Sequence, residues 1–155
     1  MKRLMLYILT GTLLLWSFSS GAQQRPAVKI VIEDLDQDAA TCGILKSSLE
    51  SIAALTLRNN GIQVVETLTN PYFYVRATMQ PISQGNQFVG CAAYLGVSLV
   101  ASVPAPTGRF KPRRWVGAQL CENSQILSGA PPRFSRSMEN SLEQIIKFCL
   151  GSLDY

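Results

Sequence analysis

The chain has 155 residues, 14 Lys and Arg against 10 Asp and Glu, and no His, giving a formal charge of +4. The length allows one domain with a real core and excludes two comfortable ones. The lack of His excludes a Ser-His-Asp triad, a Cys-His pair and every histidine metal ligand.

Met1, Lys2 and Arg3 make a positive start, Leu4 to Trp16 is almost wholly apolar, and Ser17 to Ala22 turns small and polar. This is the three-part pattern of a cleaved secretory signal peptide, predicted over residues 1–22. The apolar run is short of the roughly 20 residues that a bilayer-spanning helix needs. The first cysteine, Cys42, is far from the cleavage point that a lipoprotein would require at a cysteine. Residues 23–155 are then predicted as a single disulfide-stabilised domain, exported to the periplasm or the extracellular space, with its charge reduced to +2.

Val28 to Glu33, "VKIVIE", is a β-branched run that reads as a strand and ends in the acidic turn "EDLDQDAAT". Cys42, Leu45, Leu49, Ile52, Ala53 and Thr56 follow at helical spacing, with Asp36 or Asp38 available as an N-cap and Gly61 as a left-handed stop. Gly43 falls in what this spacing makes the first turn of that helix. Ile62 to Leu68 then forms a candidate strand, "TNP" a turn, and Tyr72 to Met79 a strand expected to run antiparallel to it. In that strand Phe73, Val75, Ala77 and Met79 point one way, and Tyr72, Tyr74, Arg76 and Thr78 the other. After the turn "PISQGNQ", Phe88 to about Val103 makes a long strand with Cys91, Ala93, Leu95, Val97, Leu99 and Ala101 inward. "PAPTGRFKPRR" is a hairpin loop, Trp115 to about Leu127 the last strand, and "SGAPPRF" a linker. Ser135 is placed to cap a final helix whose stripe is Met138, Leu142, Ile145 and Cys149.

The predicted order is therefore β-α-β-β-β-β-α: an α+β two-layer sandwich, with two helices on one face of a mostly antiparallel five-stranded sheet. The topology looks like that of small envelope modules at the level of architecture, without a family motif.

The even count of four cysteines in an exported domain favours disulfides. No CxxC exists for zinc or thiol exchange. Cys42 and Cys91 both belong to inward sets and can meet across the layers, and Cys121 lies in the strand on which the helix carrying Cys149 packs back, so 42–91 and 121–149 are the predicted pairs. One conflict stands: simple alternation sets Cys121 with Gln119 and Asn123, whereas Ala118 and Leu120 look like core; a bulge would repair it, but the sequence shows none.

Glu33, Asp34, Asp36 and Asp38 are the obvious carboxylate cluster, but Ala39 and Leu45 stand where a calcium loop needs Gly and Glu. Helix capping and solvent exposure account for the cluster. No phosphate loop or dinucleotide fingerprint occurs, so neither a metal nor a cofactor is predicted. Two surfaces remain as candidates for a partner. One is the basic loop with Arg109, Phe110, Lys111, Arg113, Arg114 and Trp115, which solubilises a hairpin tip or meets an acidic protein or anionic envelope surface. Its two aromatics make too thin a platform for nucleic acid. The other is the open sheet face with Tyr72, Tyr74, Arg76 and Tyr94, suited to a protein partner or to a second copy. The sequence thus points to a non-catalytic, exported protein-interaction or envelope accessory module. The alternatives are an enzyme binder or inhibitor acting through the basic hairpin, and a carboxylate-dependent hydrolase.

Overall fold

A computed structural model of the chain describes residues 26–67, 70–104 and 115–152. The predicted leader and the stretch from Arg109 to Arg114 lie outside them, and of Trp115 only the backbone is described. The elements are β1 (Ala27–Ile32), α1 (Gln37–Thr41), α2 (Lys46–Asn59), β2 (Gln63–Val64), β3 (Tyr72–Gln84), β4 (Gln87–Pro104), β5 (Trp115–Gly129) and α3 (Pro131–Gly151). The strands form one five-stranded sheet in the order β2-β1-β3-β4-β5. α2 contacts β1 and β2, α3 contacts β4 and β5, and the two helices contact each other, so both lie on the same side.

The sheet is mixed rather than mostly antiparallel. β1 is parallel to β2 and to β3, while β3, β4 and β5 run antiparallel in turn. The expected hairpin between Ile62–Leu68 and Tyr72–Met79 does not form, because β3 enters on the other side of β1. Parallel neighbours normally need a crossover of a dozen residues or more, since the chain must return to its starting end. Here β2 spans only two residues, opposite Ala27 and Val28, and β3 begins opposite Lys29. The chain therefore has no strand length to retrace. On entering β3, the Asn70 side chain acts as one further rung: its Nδ2 donates to Ser102 O at 2.9 Å and its Oδ1 accepts from Ser102 N at 2.6 Å.

Among the described residues three helices replace the predicted two, because the first breaks at Gly43. Asp36 Oδ1 accepts from Ala39 N at 3.0 Å and starts α1. After the C-cap Cys42, Gly43 N donates to Ala40 O at 3.0 Å and Ile44 N to Ala39 O at 2.9 Å, with Gly43 at φ +73°. This is a left-handed helix stop. The end of α2 repeats it: Gly61 N donates to Arg58 O and Ile62 N to Leu57 O, both at 3.0 Å, with Gly61 at φ +78°. The break turns Leu45 outward, 59% exposed, and puts Ile44 into the core instead. At the other end of the chain, the predicted linker is divided between the end of β5, Ser128 and Gly129, and the N-cap and first turn of α3, and Ser135 does not cap that helix. Ala130 is the N-cap and proline occupies the first helical positions, where a missing N–H costs nothing. That earlier start adds Phe134 to the buried stripe of Met138, Leu142, Ile145, Ile146 and Cys149.

The core fills the space between these helices and the inner face of the sheet. Phe73, Val75, Ala77 and Met79 from β3 and Cys91, Ala93, Leu95, Val97 and Leu99 from β4 are all buried. Cys42 bonds to Cys91 and Cys121 to Cys149, with Cα–Cα distances of 5.9 and 5.5 Å. The conflict over Cys121 is resolved in β5. Leu99 pairs with Cys121 but Val100 pairs with Gln119, so Leu120 is an extra residue, a β-bulge. Before it the even positions face inward, and after it the odd ones do. Cys121 is thereby buried while Leu120 is 46% exposed.

Close backbone approach fixes one glycine at the far end of the sheet. A Cβ on Gly90 would lie 2.7 Å from Gly129 O, where β5 hands over to α3, whereas one on Gly117 would meet only Val100 Cγ1 at 3.7 Å. Gly90→Ala should therefore lower the unfolding free energy by roughly 1–3 kcal/mol, as overpacking against backbone does. Gly117→Ala should leave the urea midpoint close to the parent's. Equal midpoints for the two variants would show that the approach at Gly90 imposes nothing.

Candidate functional site

The face of the sheet opposite the helices carries the second set of every strand's alternation. Along β3 it presents Tyr72, Tyr74 and Arg76; along β4, Val100, Ser98, Gly96 and Tyr94; along β5, Gln119 and Glu122. The register sets Arg76 beside Gly96, Tyr74 beside Ser98, and Ser98 beside Glu122. Gly96 and Ser98 are the small residues of the middle strand, and the flanking strands are taller. Together these residues line a depression of about 300 Å³.

Tyr94 shapes one end of it. It lies two residues from Gly96 on the same face, and a Cβ at Gly96 would meet its Oη at 2.8 Å and its Cε1 at 3.1 Å. The ring thus reclines over the glycine and covers backbone that no side chain protects. Arg76 shapes the side wall. Its Nε donates to Glu33 Oε2 at 3.2 Å, and its Cζ is 5.9 Å from the centre of the Tyr74 ring. The Tyr74 hydroxyl, followed by the Glu33 carboxylate, holds the guanidinium above its ordinary pKa. It is a fixed positive charge on the β1 side of the depression, with Glu122 on the opposite, β5 side. Among the described residues Glu122 belongs to no ion pair.

The structure brings together Tyr72, Tyr74, Arg76 and Tyr94, all four residues singled out on this face. It adds Gly96, Ser98, Val100, Gln119 and Glu122. The first three could have been read from the outward positions of β4. Glu122 could not, because plain alternation from Ala118 turns it inward, and it reaches this face only through the bulge at Leu120. The other candidate surface, from Arg109 to Arg114, lies outside the described residues.

The acidic turn divides rather than converges. Glu33 goes to Arg76, Asp34 Oδ1 accepts from Lys46 Nζ at 2.6 Å, Asp36 caps α1, and Asp38 lies in the first turn of that helix. The Lys46 hydrogen bond and charge hold Asp34 below the usual carboxylate range, and Asp34 holds Lys46 above the usual ammonium range. This pair's contribution therefore fades as pH falls through the lowered Asp34 pKa and again as pH rises through the raised Lys46 pKa. Both ends are solvent-exposed, so salt screens it. Among the described residues no three His, Cys, Asp or Glu side chains are grouped to hold a metal ion. No helix there is long and apolar enough to cross a membrane.

No family model matches the sequence, and no curated protein is similar to it. Among solved structures the chain is similar to rare lipoprotein B from Shewanella oneidensis, at 13% identity over 82% of this chain and 92% of that one, with a TM-score of 0.33. It is similar to the PelC dodecamer from Paraburkholderia phytofirmans at 18% identity, 83% and 85% coverage and a TM-score of 0.34. A minor lipoprotein from Acinetobacter baumannii follows at 12% identity, 81% and 85% coverage and 0.31. Likeness at these values carries no argument about function, which rests on the residues above.

Proposed function

We propose that this protein is a non-catalytic interaction module of the exported or envelope space, and that the helix-free face of its sheet takes a protein partner. The observation that carries the reading is the convergence of Tyr72, Tyr74, Arg76 and Tyr94 around a floor of Gly96 and Ser98, on the face opposite all the described helices. Tyrosine and arginine are the residues that dominate protein interfaces, because each buries a large area and keeps a polar end. The depression is shallow and rimmed by hydrogen-bonding groups, which suits a protruding partner side chain. Two disulfides agree with an oxidising compartment, as the leader pattern in the sequence does.

The test is a double substitution, Tyr74→Ser with Tyr94→Ser, crosslinked in envelope extract beside the parent. The expected result is loss of the crosslinked partner with little change in the unfolding midpoint, since these rings lie on the outer face and not in the core. Gly96→Ala is a second, gentler probe. Its Cβ displaces the Tyr94 ring and raises the floor, so it should reduce the same product. Unchanged recovery of every crosslinked protein by both variants would remove this reading.

A further inference from the structure

Among the described residues, the flank of β1 that β2 leaves open begins with Lys29, and the remaining edges but one are blunted as well. β2 is two residues long, and the flank of β3 left open beyond Val75 carries Pro81, which has no N–H to offer. Short strands and prolines are the usual means of keeping edges from pairing with other chains, and lysine is another. β5 has none of these. Its 15 residues, "WVGAQLCENSQILSG", contain no Lys, Arg or Pro and a single charge, Glu122, and among the described residues it pairs with β4 alone. It also carries Ile126, which at 84% exposed is the most exposed large apolar side chain described.

We infer that the free edge of β5 pairs with β5 of a second copy, antiparallel about a two-fold axis at Asn123. Residues opposite one another in a sheet point to the same side, so a symmetric pairing must be centred on a residue rather than between two. Centring on Glu122 sets two like charges face to face, and centring on Ser124 sets Glu122 against Ile126. Centring on Asn123 sets Glu122 opposite Ser124 and Cys121 opposite Gln125, and brings Ile126 over Leu120, another exposed apolar residue of the strand. The bulge at Leu120 closes the ladder at both ends. The product is one continuous sheet of twice the five strands of a single copy, with both tyrosine faces on the same side. This inference does not depend on the tyrosine face binding anything.

Sedimentation equilibrium on the exported, oxidised chain at micromolar concentration tests it. The parent is expected to be a dimer. Ile126→Lys removes the apolar contact, and Ser124→Glu places a second carboxylate opposite Glu122 on each side of the axis. Each should raise the dimer Kd by about tenfold, as opposed like charges on neighbouring strands do. Ser124→Lys sets an opposite charge there and should hold the dimer at least as tightly as the parent. Circular dichroism checks that each variant keeps the fold, and Tyr74→Ser should leave the dimer intact, so this reading and the partner reading fail separately. A monomeric parent overturns the inference, and so does a dimer indifferent to Ile126→Lys and Ser124→Glu. Equal weakening by Ser124→Glu and Ser124→Lys overturns the pairing about Asn123.

Discussion

Replacing Cys42 and Cys91 together by Ala is expected to lower the unfolding free energy by about 4 kcal/mol, and replacing Cys121 and Cys149 by about 3.5 kcal/mol. These values follow from the loops that the bonds close, with sequence separations of 49 and 28, because a cross-link restricts the unfolded chain more as the loop lengthens. Against a total of roughly 5–15 kcal/mol for a domain, either loss is large. Cys42 and Cys91 are fully buried, so Ala at both positions also leaves unfilled volume between α1 and β4. Urea titration under non-reducing conditions measures each difference. If both double variants unfold within about 1 kcal/mol of the parent, the bonds do not act on the unfolded chain as this account requires.

Two single-residue deletions in β5 should differ sharply. Leu120 is the residue without a partner in the ladder, so removing it joins Gln119, opposite Val100, directly to Cys121, opposite Leu99. Alternation then becomes regular and no side chain changes face. The expected loss of stability is below about 1 kcal/mol, near that of an ordinary surface change. Deleting Ser124 has no such escape. The strand can absorb the loss by drawing Leu120 to Asn123 along by one position, but that step turns Cys121 to the outer face. Its bond to Cys149 is then lost, a cost of about 3.5 kcal/mol, and both thiols become free. Alkylation followed by peptide mass measurement reads the thiols, and denaturation reads the stability. Free thiols in the Leu120 deletion, or an intact bond in the Ser124 deletion, would contradict the bulge assignment.

What the sequence conveyed follows from which signals were local. The alternation in "YFYVRATM" and "CAAYLGVSLVAS" is strong because one face of β3 and β4 is wholly covered, and it placed Tyr72, Tyr74, Arg76 and Tyr94 on a shared face. The stop at Gly61 was legible after a polar "RNN". The identical stop at Gly43 was not, because Cys42 and Leu45 continue the helical spacing across it. Gly-Ile follows both helices, and that repeat was the available clue. Proline at 131 and 132 is a linker signal that equally marks a first helical turn. The partnering of β3 with β1 was out of reach, since nothing local in Ile62–Leu68 shows that β2 stops at Val64. Glu122 depended on a bulge that alternation flags as a conflict but cannot locate.

The order of the disulfides along the chain bears on how the protein is made. Four cysteines allow three pairings, and this one joins them consecutively along the chain, first with second and third with fourth. The two closed loops are neither nested nor interlaced. A chain crossing a membrane with its N-terminus leading, and meeting oxidant as it emerges, presents Cys42 and Cys91 to each other before Cys121 or Cys149 has arrived. Oxidation in order of arrival therefore gives the native bonds, and the pairing needs no later shuffling to reach them.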